Sequence, residues 1–136
     1  MQNLKLKELP NKYAYCKLSK TNLELTKFLF EYREDFLSIT QTSDEISLVC
    51  ELTTLEDLEQ HCPEIIKVEA PFKCFRIVGN LDFGLIGIVA DIALVLAEQK
   101  ISLCTISTFD TDYFFVKEDK FNPAKKALEA KSYLFT

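Results

Sequence analysis

The chain has 136 residues, 48% of them hydrophobic and eleven of them phenylalanine, which suits a folded core and excludes disorder. Its net charge of −5 provides no basic face for phosphates, so nucleic acid is not an expected partner. The longest apolar run, 83–97, is interrupted by Asp91 and falls short of the ~20 residues that cross a bilayer. The opening MQNLKLKELP lacks the apolar stretch of a secretory leader. A cytoplasmic protein with no membrane contact is expected.

Five cysteines (Cys16, Cys50, Cys62, Cys74 and Cys104) are scattered without CxxC spacing, and the four in strand-like runs, all but Cys62, read as small buried hydrophobes. His61 and Cys62 are the one adjacent pair of metal-ligand types, short of the four ligands zinc needs. No metal and no cofactor is expected.

Leu4 to Leu9 alternates apolar and polar residues as a strand does, Pro10-Asn11 signals a turn, and Tyr13 to Leu18 alternates again. Thr21 or Asn22 is placed to cap a short helix bearing Leu25, Phe28 and Leu29. Phe36–Thr40 and Ile46–Glu51 read as a hairpin around Ser43-Asp44. A capped helix start follows at Thr53 or Thr54, ending by Pro63. Ile65–Ala70 bridges to a strand at Phe72–Val78, and Asn80 or Asp82 caps a helix from about Phe83 to Gln99. That helix is apolar around most of its cylinder, so both faces are expected to be covered, one of them open to a partner. Ile101–Thr108 and Asp112–Lys117 form a second hairpin. Asn122 with Pro123 reads as a last helix start, with Ala124, Ala127 and Leu128 inward. Tyr133–Phe135 is apolar enough to return to the sheet.

An internal repeat organises these elements. Shifted without a gap, Ile39–Glu51 falls on Ile106–Glu118, with Ile39/Ile106, Val49/Val116 and Glu51/Glu118 identical. Each half then reads as a relative of the ferredoxin-like β-α-β-β-α-β unit. The fold class expected is α+β, with two such domains in tandem, 1–66 and 67–136.

All three glycines, Gly79, Gly84 and Gly87, cluster at one strand-to-helix turn. Glycine there allows positive φ or a close approach, and a helix N-terminus offers backbone N–H groups to an anion. Asp110 and Asp112 flank Thr111 at the second hairpin tip, where aspartate serves turn chemistry or accepts from an amine. No histidine, lysine or nucleophile motif stands beside them, so no catalytic residue is assigned.

The segments Gly79–Ala90 (GNLDFGLIGIVA) and Ile106–Tyr113 (ISTFDTDY) strongly resemble the ACT domain, across Phe72 to Leu128 and more weakly over Tyr13–Glu51. The likeness is to small tandem-ACT proteins related to the cytosolic arginine sensors and to the aspartate kinase regulatory domains. It implies βαββαβ domains pairing their sheets side by side, with a small amino acid held at the ACT–ACT interface. It implies ligand contacts at Asp82, Leu85, Gly87 and Ile88 on the loop and first helical turn. On the strand and tip it implies Thr108, Phe109, Asp110 and Asp112. Gly84 departs from the serine common in the family. A non-enzymatic sensor is expected, a homodimer that passes its signal to a protein partner. The alternative is a structural module that assembles through sheet pairing without a ligand. An acylphosphatase-like enzyme would need a fuller phosphate loop than Arg76 and Asn80 supply.

Overall fold

A computed structural model describes residues 4–19, 31, 34–61, 65–78 and 86–136, the side chains of His61 and Ile66 excepted. In chain order the elements are β1 (Lys5–Leu18), β2 (Ser38–Gln41), β3 (Ile46–Glu51), α1 (Leu52–His61) and β4 (Ile65–Ile77). They continue with α2 (Ile88–Glu98), β5 (Cys104–Ser107), β6 (Asp112–Lys117), α3 (Glu118–Ala130) and β7 (Leu134–Phe135). The fold is α+β with antiparallel hairpins, as expected. The helix expected after Thr21 lies outside the described residues.

The chain divides into two compact units, residues 1–10 with 72–136, and residues 11–71, with boundaries inside β1 and inside β4. In the first unit the strand order is β7-β1-β4-β6-β5, with β6 antiparallel to both β4 and β5. β7 lies parallel to β1, with Lys5 opposite Leu134, so the tail does return to the sheet. In the second unit β3 pairs with β2 and with β1, where Tyr13 faces Glu51.

Pro10 does not break β1 into two strands. It lies between the stretch paired with β7 and the stretch paired with β3, so neither partner on that edge pairs with it. Pro71 likewise precedes Phe72, the first β4 residue paired with β6. The last helix begins at Glu118, five residues before Pro123, which stands inside it. Two forces favour the earlier start. Glu118 and Asp119 put negative charge in the first turn, and Phe121 joins Ala124 and Leu128 on one buried face.

The repeat holds in three dimensions, but its hairpin register is 66 positions (Gln41 to Ser107, Ile46 to Asp112), one less than the ungapped identities suggest. Thr42 N donates to Glu45 O at 2.9 Å just as Thr108 N donates to Thr111 O at 2.9 Å. Strand pairing sets this register, because a one-residue slip turns every side chain to the opposite face.

Each unit has its own core. In the first, Phe75 stacks on Phe114 with ring centroids 5.0 Å apart, and Phe121 and Phe135 close around Phe75 at 6.4 and 5.6 Å. Ile77, Ile88, Ile92, Leu96 and Leu128 pack with them. Lys73 pairs with Glu8 at 3.0 Å and overlies the Phe121 ring, its stem covering the cluster. In the second, Ala14, Cys16, Leu18, Leu48, Cys50, Leu55 and Leu58 pack together. Cys16, Cys50 and Cys74 are buried free thiols, as expected, whereas Cys104, expected to fill the core with Cys74, is only partly buried. Burial holds the Cys74 thiol above the usual range.

Helix ends need partners for their last carbonyls, and α2 and α3 solve this alike without glycine. Lys100 (φ 58°) and Ser132 (φ 71°) turn left-handed after the two helices. Ile101 N then donates back to Leu96 O, and Tyr133 N to Leu128 O. Each turn sends a buried side chain, Ile101 or Tyr133, into the core.

The start of α1 is capped from a distance. Oε2 of Glu34 accepts from Glu51 N at 3.1 Å and from Thr54 Oγ1 at 3.0 Å. Burial pushes the Glu34 carboxyl above the usual range despite these two donors. Its Oε1 is buried with no hydrogen-bond partner among the described residues.

Two outcomes are expected. Phe75→Ala removes the centre of the ring cluster and lowers stability by about 3–5 kcal/mol in urea melts. For Glu34, a carboxyl raised in the fold binds its proton more tightly folded than unfolded, so its contribution falls as pH rises above the ordinary glutamate value of about 4.3. Glu34→Gln removes that fall, and the stability difference between wild type and variant tracks pH over the window just above that value.

Candidate functional site

The second hairpin tip is built by local chemistry. A four-residue turn, 108–111, joins β5 to β6. Thr108 Oγ1 donates to Thr111 O at 3.1 Å, closing the turn beside the backbone bond. Thr111 is the buried residue of the turn, and its Oγ1 donates to Ile77 O at 3.0 Å. Arg76 Nη1 donates to the same carbonyl at 3.1 Å. The tip is therefore fastened to the C-terminal end of β4.

From this base, Thr108, Phe109 and Asp110 project outward, with Phe109 83% exposed. Asp112 is half-buried and its Oδ1 accepts from Ser107 Oγ at 2.5 Å. That bond fixes the carboxylate's orientation and leaves its second oxygen as an acceptor.

The same end of β4 leads, through residues 78–87, to the start of α2. Gly87 is its N-cap in the left-handed region (φ 90°, ψ 0°), where a side chain would cost about 1–2 kcal/mol. No side chain among the described residues caps this end. The first intrahelical bond runs from Asp91 N to Gly87 O at 2.9 Å, so the N–H groups of residues 88–90 precede the helical ladder. They carry the positive end of the helix dipole. The described residues thus offer donors at the start of α2 and acceptors at the tip. That combination suits a small molecule carrying an anion and an amine.

Of the residues singled out in the sequence, Thr108, Phe109, Asp110 and Asp112 share one tip, and Gly87 and Ile88 open α2. Ile88 is 6% exposed with its side chain in the core, so its backbone alone is available to a ligand. Asp82 and Leu85 lie outside the described residues, as do Gly79, Asn80 and Gly84. Three residues that the sequence does not single out support these segments through their hydrogen bonds: Ser107, Thr111 and Tyr133. The Thr-x-x-Thr spacing of 108 and 111 was the available signal for the second. Nothing local announces the third, whose hydroxyl donates to the Asp91 carboxylate across 42 residues of sequence.

Along α2, Ile88, Ile92, Val95 and Leu96 are buried, whereas Leu94 is 58% exposed and Ile86, just before the helix, 87%. The chain's own core covers one face of α2 and leaves Leu94 exposed. No helix among them is long and apolar enough to cross a membrane, and no group of three or more His, Cys, Asp or Glu among them is arranged to hold a metal ion.

Residues 67–130 match the family profile described as ACT domain. A search of curated proteins by sequence finds no match. Among solved structures, a protein from Agobacterium tumefaciens superposes with a TM-score of 0.80 at 26% identity, covering 100% of this chain and 94% of that one. A protein of unknown function from Vibrio cholerae, described as a possible transport protein, gives 0.74 at 21% identity, covering 96% and 91%. The regulatory subunit of aspartate kinase from Thermus flavus gives 0.68 at 8% identity, covering 96% and 98%. The last two show likeness of fold alone.

Thr111→Val tests what holds the tip. Losing the bond to Ile77 O is expected to destabilise the protein by about 1 kcal/mol. It should also speed amide exchange at Thr108 more than at the core of β6. Equal exchange at both places would show that the tip is held otherwise.

Proposed function

From the match of residues 67–130 to the ACT-domain profile, we propose that this chain is a non-enzymatic regulatory protein that binds a small amino acid. What supports this reading is that the first unit offers both helix-start donors at Gly87–Ala90 and an acceptor-bearing tip fastened through Thr111 to Ile77 O. The effector's carboxylate meets the first N–H groups of α2. Its amine meets Asp112, whose geometry Ser107 sets, with Thr108, Phe109 and Asp110 around it.

The reading extends to tandem ACT copies in a cytoplasmic homodimer, with the ligand at an ACT–ACT interface and a protein partner receiving the signal. The shared hairpin register of 66 positions supports the tandem part. A second reading, an assembly module that needs no ligand, draws on the exposed apolar positions Ile86 and Leu94.

A thermal-shift screen against the twenty common amino acids separates the two. An amino acid at 100 times its dissociation constant adds about 2.7 kcal/mol to stability. A selective upward shift in wild type, lost in Asp112→Ala while that variant keeps its own melting temperature, is the expected result. Unchanged affinity in Asp112→Ala removes that residue from the site, and a flat wild-type screen favours the assembly module.

A further inference from the structure

The Tyr133–Asp91 hydrogen bond joins two parts of the first unit that have no sequence reason to meet. Asp91 lies in the first turn of α2, and its amide closes that turn on Gly87 O. Tyr133 is 1% exposed, delivered to the interior by the left-handed turn at Ser132 that ends α3. Beyond it the chain becomes β7, tied to β1 by Leu134 N to Leu4 O at 3.0 Å and Thr136 N to Leu6 O at 2.8 Å. One side-chain contact therefore links the opening turn of α2 to the docking of the C-terminal strand.

The chemistry of that contact matters for an anion at the α2 start. An effector carboxylate there would lie about one helical turn from the Asp91 carboxylate, and like charges at that range oppose each other. A donated phenolic hydrogen offsets part of the Asp91 charge and holds its rotamer. Burial, with the hydrogen bond to Asp91, raises the Tyr133 phenol above the usual range, so it remains a donor throughout the neutral region.

We propose that Tyr133 is a positioning residue through which amino-acid binding at the α2 start and docking of β7 on β1 strengthen one another. The proposal rests on the amino-acid-binding reading above. It adds an element that reports occupancy: the C-terminal strand. Coupling of this kind is reciprocal, so whatever factor the docked tail contributes to affinity, the bound amino acid must return to tail docking.

The test uses the full chain, with the twenty common L-α-amino acids as probes. Three forms are titrated: wild type, Tyr133→Phe and Asp91→Asn, the last retaining an acceptor for the phenol. Amide exchange at Leu134 and Thr136 is followed with and without the amino acid that wild type binds. Tyr133→Phe is expected to weaken that binding about fivefold or more, and Asp91→Asn to preserve it. In wild type the Leu134 and Thr136 amides slow on binding, and in Tyr133→Phe they do not respond. A tail merely stapled for stability would change the melting temperature but not this response. Should Tyr133→Phe fail to fold, the wild-type exchange response and Asp91→Asn decide. Binding by wild type with unaltered tail exchange overturns this proposal and leaves the binding reading intact. A wild type that binds none of the twenty overturns both.

Discussion

The pairing of β4 with β6 is the constraint on which the first unit depends, and the Phe75–Phe114 stack is its physical core. These two rings lie directly opposite each other, so a slip of one residue would put them on opposite faces of the sheet. With the register set, Phe121 on α3 and Phe135 on β7 have a surface to close upon. The same register carries the hairpin tip to the end of β4, where the Thr111 hydroxyl reaches Ile77 O. Core packing and site construction are thus one event. The aromatic faces choose the alignment, and the polar tip inherits its position from it.

The two hairpin–helix copies show how one backbone plan supports different surfaces. Both turns span four residues and are closed by a threonine that bonds the backbone three residues on. In the first copy the turn is 42–45, and in the second it is 108–111, where an exposed phenylalanine takes the place of Ser43. The strands feeding the copies align differently: Tyr13 faces Glu51 as Phe72 faces Lys117, a separation of 59 (Tyr13 to Phe72) against 66 in the hairpins. The connection after β4 is therefore the longer by seven residues, and it contains all three glycines of the chain. Extra length and glycine content are concentrated where a ligand-binding turn is proposed.

Polar groups inside each unit are placed with similar economy. Glu34 caps α1 from outside the helix, and Tyr133 steadies Asp91 from the far end of the chain. Both contacts pair a carboxylate with donors in a partly desolvated setting, where an unmade bond costs more than a made one gains. Each ties a segment of little regular structure to a helix start. They give the fold long-range closure that apolar packing alone would leave loosely specified.

Much of this was legible in the residues themselves. Ile46–Glu51 and Asp112–Lys117 match the observed strands to the residue, because alternation with a turn signal is a short-range pattern. The ACT likeness and the tip residues were readable for the same reason: they lie in contiguous runs. What the sequence alone misassigned depends on partners. Pro10 and Pro123 read as boundaries because proline lacks a donor, yet pairing around Pro10 and the buried face of α3 outweighed that loss. The one-residue correction to the repeat came from strand register, which identities do not measure. Glu34, Thr111 and Tyr133 gained their roles from neighbours 17 to 42 residues away. Local pattern determined which elements form; only tertiary packing decided which distant groups meet, because those contacts exist only once the chain has closed on itself.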